Sequence, residues 1–168
     1  MKLAGIIGIM FGGLLTGMWA AGRLHRRATA LETLLSLLSE LARRLSYTAP
    51  PLREFFSESA AQPLYAGLSF LPMVLEFWKE RDFAAAFEAA VKSCGKRDGF
   101  SSEDIAALVR LGAKLGKSDA GTQRLCVCEE IDRLEESRQS VRSEAARADR
   151  LYLPLGVSGG LALAVLLI

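Results

Sequence analysis

Two stretches without a charged side chain, one at each end, constrain this chain most. Residues 3–22 read LAGIIGIMFGGLLTGMWAAG and residues 151–168 read LYLPLGVSGGLALAVLLI. Twenty helical residues rise ~30 Å, the thickness of a bilayer hydrocarbon core, and eighteen are just enough to span it. A core helix would show a polar face, and the second stretch has none. The first is longer than the apolar centre of a usual signal peptide, and Trp19-Ala20-Ala21 is a poor cleavage site. Arg23, Arg26 and Arg27 follow the first stretch and Arg142, Arg147 and Arg150 precede the second, while Lys2 is the one charged side chain beyond either. Basic residues gather on the cytoplasmic side of membrane spans. The expected organisation is a transmembrane helix over 1–22, a cytoplasmic domain over 23–150 and a second transmembrane helix over 151–168.

The chain between these ends has ordinary globular composition, with 58 of its 128 residues apolar. One small globular domain held between two apolar ends excludes a disordered chain, a multidomain protein and a freely soluble enzyme. A net charge of +2 is too weak to argue for nucleic acid. Three cysteines, an odd number, read as reduced thiols in a cytosolic setting. Nine of the fifteen glycines fall in the two terminal stretches. Gly8-x-x-x-Gly12, Gly13-x-x-x-Gly17 and Gly156-x-x-x-Gly160 each place small residues on one helix face. Lipid tails provide no hydrophobic drive for association, so such faces favour close packing of one span on another or on a second membrane protein.

The pattern between the ends is helical nearly throughout. Leu24, Ala28, Leu31, Leu34 or Leu35, Leu38, Leu41 and Leu45 step by threes and fours, continuing the first span as one long helix. Tyr47-Thr48-Ala49-Pro50-Pro51 stops it, because a residue before proline avoids the helical region. Leu52, Phe55 and Phe56 mark a short second helix. Pro63 opens a third through Leu64, Leu68, Leu71, Leu75 and Trp78, with Pro72 as a kink or break. Phe83, Phe87, Ala90, Val91 and Cys94 line a fourth that ends at Gly95. Ser101-x-x-Asp104 is a capping box for a fifth carrying Ile105, Leu108, Val109, Leu111 and Leu115, stopped by Gly116. The last helix starts near Ala120, and its stripe runs through Val127, Ile131, Leu134, Arg138, Val141, Ala145, Ala148 and Tyr152. Its one charged member, Arg138, either marks where the stripe leaves the core, snorkels past it, or pairs with an acid on the first helix. The fold expected is an all-α, antiparallel helical bundle. Two long helices zip as a coiled-coil stalk and continue into the N-terminal and C-terminal transmembrane helices.

No catalytic constellation emerges. Leu115-Gly116-Lys117-Ser118 resembles the end of a phosphate loop, but position 111 holds Leu111 where glycine is needed, and a helix rather than a strand precedes it. His25, the single histidine, is read as interfacial. Cys126 and Cys128 lie two residues apart on a helix and diverge, so they do not form a metal site. Glu129-Glu130 and Glu135-Glu136 read as a solvated face, with Glu135–Arg138 a surface pair. No cofactor and no metal are expected.

Several phrases carry a family resemblance. They are Leu45-Ser46-Tyr47-Thr48-Ala49-Pro50-Pro51-Leu52, the stretch from Leu108 to Asp119 with Gln123 following, and the glycine-broken tail from Leu155 to Ile168. The most specific is L-x-x-x-G-x-x-L-G-x-x-D-x-x-x-Q, here Leu108, Gly112, Leu115, Gly116, Asp119 and Gln123. Over essentially its whole length the chain resembles the stage III sporulation protein AB family of endospore-forming bacteria. It departs at Ala49-Pro50, where the family pattern leads one to expect a glycine-containing phrase. The resemblance implies a non-enzymatic scaffold or adaptor in the mother-cell membrane facing the forespore, within a secretion-like channel complex. The family's cytoplasmic domain is similar to the F-type platform domain of type II secretion systems, which couples a motor to a membrane assembly. By that analogy the expected partners are other stage III sporulation membrane proteins, the lipid bilayer and a cytoplasmic ATPase, stage III sporulation protein AA.

The candidate docking patch is formed by the turns at the membrane-distal end: Tyr47, Thr48, Pro51 and Leu52 on one side, and Gly112, Gly116, Asp119 and Gln123 on the other. Capping explains Gly116 and Asp119 equally well. Two other readings fit the same ends: an exported helical protein with a C-terminal anchor, and a membrane-shaping or pore-forming protein.

Overall fold

The structure, a computed structural model, describes residues 2–47, 51–115 and 120–167, with the backbone alone described for 2–21, 120, 148–149 and 151–167. The described residues form six α-helices and one short 3-10 turn, with no strand among them. The helices are α1 (Lys2–Tyr47), α2 (Leu52–Ala61), α3 (Phe70–Phe77), α4 (Phe83–Asp98), α5 (Ser102–Lys114) and α6 (Ala120–Leu167), and the 3-10 turn is Pro63–Tyr65. The chain divides into two units, residues 26–138 and residues 1–25 with 139–168. In the second unit α1 and α6 supply the backbone, and Val141 and Ala145 are buried.

In the unit 26–138, α1 carries the expected stripe. Ala28, Leu31, Leu34, Leu35, Leu38, Leu41 and Leu45 are all buried. Leu34, Leu37, Leu38 and Leu41 share a small apolar void with Phe55 and Phe56 of α2, Phe70 of α3, Phe87 of α4, and Leu108 and Leu111 of α5. Each such side chain contributes ~1.5–3 kcal/mol by leaving water, which makes this layer the core. An aromatic chain runs beside it. Phe56 contacts Phe83 and Phe87, and Phe87 contacts Phe70, with ring centroids 5.5–5.9 Å apart.

Local chemistry sets the helix ends. Asp82 caps α4 by accepting from the Ala85 N–H. Ser101 and Asp104 form the expected reciprocal capping box on α5. The Asp98 carboxylate, in the last turn of α4, accepts from the Ser69 hydroxyl and the Phe70 N–H and so satisfies the start of α3.

Three expectations about these ends need correction. The helix containing Gly95 does not stop there: α4 runs on to Asp98, and Gly99 ends it at φ 104°. Gly95 is instead a packing glycine, since a Cβ there would lie 2.8 Å from Cγ1 of Ile105. Pro72 neither kinks nor breaks a helix. It sits in the first turn of α3, where backbone N–H groups have no intrahelical partner to lose. The break falls earlier, between Tyr65 and Phe70, and it leaves Leu64 exposed rather than inside. Gly116, the expected stop of α5, lies outside the described residues.

A correction also applies to α6, whose buried face is not quite the expected one. Val127 and Leu134 are buried, but Ile131 is half-buried and the inward position next to it is Glu130, only 5% exposed. Glu130 therefore does not belong to the solvated face assigned to Glu129-Glu130, whereas Glu129, Glu135 and Glu136 are exposed.

Candidate partner interface and the polar node of the bundle

The expected patch residues fall into three groups. Tyr47 ends α1 with 84% of its surface exposed, the most open large apolar side chain described. Pro51 is exposed and precedes the first residue of α2, and Leu52 is half-buried. Gln123, in the first turn of α6, is half-buried. Gly112 does not offer a docking surface, because it is buried beneath Phe87, with an added Cβ 3.0 Å from ring atoms Cε1 and Cγ. Thr48, Gly116 and Asp119 lie outside the described residues. Sequence reading missed Leu125, which is 58% exposed in the second turn of α6 and off the Val127–Leu134 face.

The packing glycines of the terminal stretches sit on helical backbone: Gly8, Gly12, Gly13 and Gly17 in α1, and Gly156 and Gly160 in α6. Their surroundings lie outside the described side chains. Among the described residues no helix is long and apolar enough to cross a membrane. The expected spans 1–22 and 151–168 lie, apart from Gly22, outside the side chains described. Also among the described residues, no three His, Cys, Asp or Glu side chains converge as a metal site. Cys94, Cys126 and Cys128 are free and half-buried.

Beside α5 the bundle holds a polar node that the sequence did not announce. The Arg27 guanidinium donates Nε to Asp104 Oδ2 at 2.8 Å and Nη2 to Asp104 Oδ1 at 3.0 Å. Nη2 also donates to Ser137 Oγ at 3.1 Å. One arginine thus joins α1, α5 and α6. Asp104 keeps 4% side-chain exposure and also accepts from the Ser101 N–H at 2.8 Å. Burial pushes its carboxyl upward, but the Arg27 fork and the Ser101 bonds outweigh burial and hold it below the usual aspartate range. Gly99 packs close by, and a Cβ there would lie 3.3 Å from the Arg26 carbonyl oxygen. Further along the seam Arg138 pairs with Glu32 of α1 at 3.6 Å, one of the roles expected of it, rather than with Glu135.

A second ionic cluster ties α1 to α2. Glu40 accepts from Arg43 and Arg44, and Arg44 also reaches Glu58 at 2.5 Å. The two guanidinium groups, Arg43 foremost, lower the Glu40 carboxyl to about 2.

These features define an all-α bundle built on two long helices. A family model described as stage III sporulation protein AB matches residues 2–168. A solved structure named stage III sporulation protein AB superposes with a TM-score of 0.61 at 17% identity, over 72% of this chain and 97% of that one, a likeness of fold. No curated protein sequence matched. The chain belongs to the stage III sporulation protein AB family, a family of sporulation proteins.

Proposed function

We propose that this chain is a non-enzymatic scaffold or adaptor of the channel complex between mother cell and forespore. It is held in the mother-cell membrane by both ends, and its cytoplasmic bundle docks an ATPase, stage III sporulation protein AA. One observation carries the reading: each uncharged terminal stretch is the same unbroken helix as a leg of the bundle, Lys2–Tyr47 at one end and Ala120–Leu167 at the other. In this reading the helix that anchors the chain also contributes a leg to the bundle. In this arrangement the two legs run antiparallel and their glycine faces pack within the bilayer. The exposed Tyr47 and Leu125 are the contacts offered to the ATPase. Family membership supports the sporulation setting; the coupling role follows from the resemblance, noted in the sequence, of the family's cytoplasmic domain to F-type platform domains.

Topology and docking are tested together. A membrane-impermeant maleimide should label Cys94, Cys126 and Cys128 only after protoplasts are permeabilised; labelling of intact protoplasts would establish an exported protein instead. The full-length protein should co-purify with the ATPase, and Tyr47→Ala should weaken capture at least tenfold without changing helix content. Capture unchanged in Tyr47→Ala, Leu125→Ala and Asp119→Ala alike would remove the docking assignment.

A further inference from the structure

The turn after α4 comes back to α1 close to the uncharged stretch. A Cβ on Gly99 would lie 3.3 Å from the Arg26 carbonyl oxygen and 3.6 Å from Cβ of Ala30, so this turn rests on residues 26–30. Gly99 permits the approach, since a side chain there would press on that carbonyl and would need the left-handed backbone that glycine adopts freely. Arg26 is four residues past Gly22, where the uncharged stretch ends, and four residues reach no more than ~14 Å in any conformation. The turn is basic. Lys96 and Arg97, in the last turn of α4, are exposed, as is Arg26, and none of the three is ion-paired among the described residues. The neighbouring acids are engaged elsewhere: Asp98 by the Ser69 hydroxyl and the Phe70 N–H, Asp104 by Arg27 and the Ser101 N–H. Within 95–103 Glu103 is the one exposed acid, and none precedes Glu32 in the chain. Cations in a last turn suit the negative end of α4, but that preference does not bring them to Arg26.

We propose that Arg26, Lys96 and Arg97 form a face that binds the headgroups of anionic phospholipids in the membrane the chain is anchored in. The inference rests on the membrane topology proposed above and stands independently of the ATPase reading. The surface of a membrane holding anionic lipid is negative, and its attraction for lysine and arginine decays over a Debye length, ~8 Å at physiological salt. The headgroup layer itself extends ~5–7 Å beyond the hydrocarbon. The short reach from Gly22 keeps Arg26 within range of that layer, and the Gly99 contact brings the Lys96–Arg97 turn alongside it. A guanidinium forks two phosphate oxygens and an ammonium meets them as a point charge. A phosphodiester without a cationic headgroup leaves its charge free for these partners, whereas choline cancels it, so the face selects anionic over zwitterionic lipid.

The test is headgroup quenching of the full-length protein in vesicles of phosphatidylcholine alone or mixed with phosphatidylglycerol, each carrying a nitroxide-headgroup lipid. Cys94, Cys126 and Cys128 are replaced by alanine, and a fluorophore is placed on a single cysteine at Gly22, Ser102 or Ser46, all exposed. The Gly22→Cys label reports topology and should be quenched in both lipids. The Ser102→Cys label, at the start of α5, should be quenched at least twice as strongly with phosphatidylglycerol, and high salt should remove the gain. The Ser46→Cys label, ~30 Å along α1 from Arg26, should stay bright. Lys96→Gln with Arg97→Gln should abolish the gain at Ser102, and Lys96→Arg with Arg97→Lys should keep it. Arg26→Gln alone should reduce it, which carries the test if the double variant fails to fold. An unquenched Gly22 label refutes the topology, and the headgroup face falls with it. A quenched Gly22 label with no phosphatidylglycerol gain at Ser102, or with a gain that survives the neutral variants, overturns the headgroup face alone.

Discussion

Replacing Gly112 with alanine is the most demanding test of the packing described for α5. On an exposed helix the change would stabilise, since alanine is favoured over glycine by ~0.8–1.0 kcal/mol. Here the new Cβ would meet the ring of Phe87, 3.0 Å from Cε1 and Cγ and closer still to Cδ1. Phe87 is 3% exposed and wedged between Phe56 and Phe70 at 5.9 Å, so the ring has little room to retreat. Overpacking of this kind costs roughly 1–3 kcal/mol. Subtracting the propensity gain leaves a net loss of roughly 1 kcal/mol, a fall of about 4 °C in Tm for a chain of this size. Chemical denaturation of the full-length protein, followed by circular dichroism at the helical band, gives the number. Phe87→Leu in the same background supplies the control, because a smaller side chain makes room for the methyl group. The double variant should be more stable than the sum of the single effects by at least ~0.5 kcal/mol. A stabilised Gly112→Ala protein, or strict additivity with Phe87→Leu, would show that Phe87 does not press on α5 and would refute the reasoning.

Other consequences follow from the same contacts. Gly95→Ala should be milder than Gly112→Ala, because the obstacle is the flexible end of Ile105 rather than a ring; paired thermal melts decide the order. Leu34→Ala, at 1% exposure, should cost ~2–5 kcal/mol in urea denaturation. Asp104 has a carboxyl held below the ordinary value, so its contribution is fully present above about pH 3.9 and disappears as pH falls through the lower folded value. Urea midpoints between pH 6 and 3 should therefore fall less steeply in Asp104→Asn than in the parent. Ser101→Ala removes the cap hydroxyl of α5 and should cost ~1 kcal/mol by the same assay.

How far the chain could be read in advance depended on the range of each interaction. The stripe from Ala28 to Leu45 was legible because a helix forces buried positions into steps of three and four, and α1 obeys that rule without help from its neighbours. The capping boundary at Ser101 and Asp104 was legible for the same reason, being complete within four residues. Gly95 and Gly99 were not separable: both are plausible stops, and only the approach of Ile105 to one and the left-handed backbone of the other tell them apart. Glu130 and Ile131 posed a similar ambiguity. Either continues a three-four pattern from Val127 to Leu134, and hydrophobicity favoured the wrong one. The Arg27–Asp104 pair joins residues 77 apart, and nothing near either position hints at the other. Arg27 in particular looked like one more cation flanking an apolar stretch. Of the candidate patch, exposure was predictable for Tyr47, which follows the last inward leucine, but not the burial of Gly112, which depends on a ring from another helix.

The joint between α3 and α4 gives the molecule a built-in optical reporter. Trp78 lies just past the end of α3 with its indole 4.7 Å from the Phe83 ring, and the Arg53 guanidinium sits 5.0 Å above it while donating to the Trp78 carbonyl. The chain has two tryptophans, at positions 19 and 78, so Trp19→Phe isolates this one. Its emission then follows the closure of three helices onto one another, and a ligand that pries α2 away from α3 would register as a spectral shift before any helix melts.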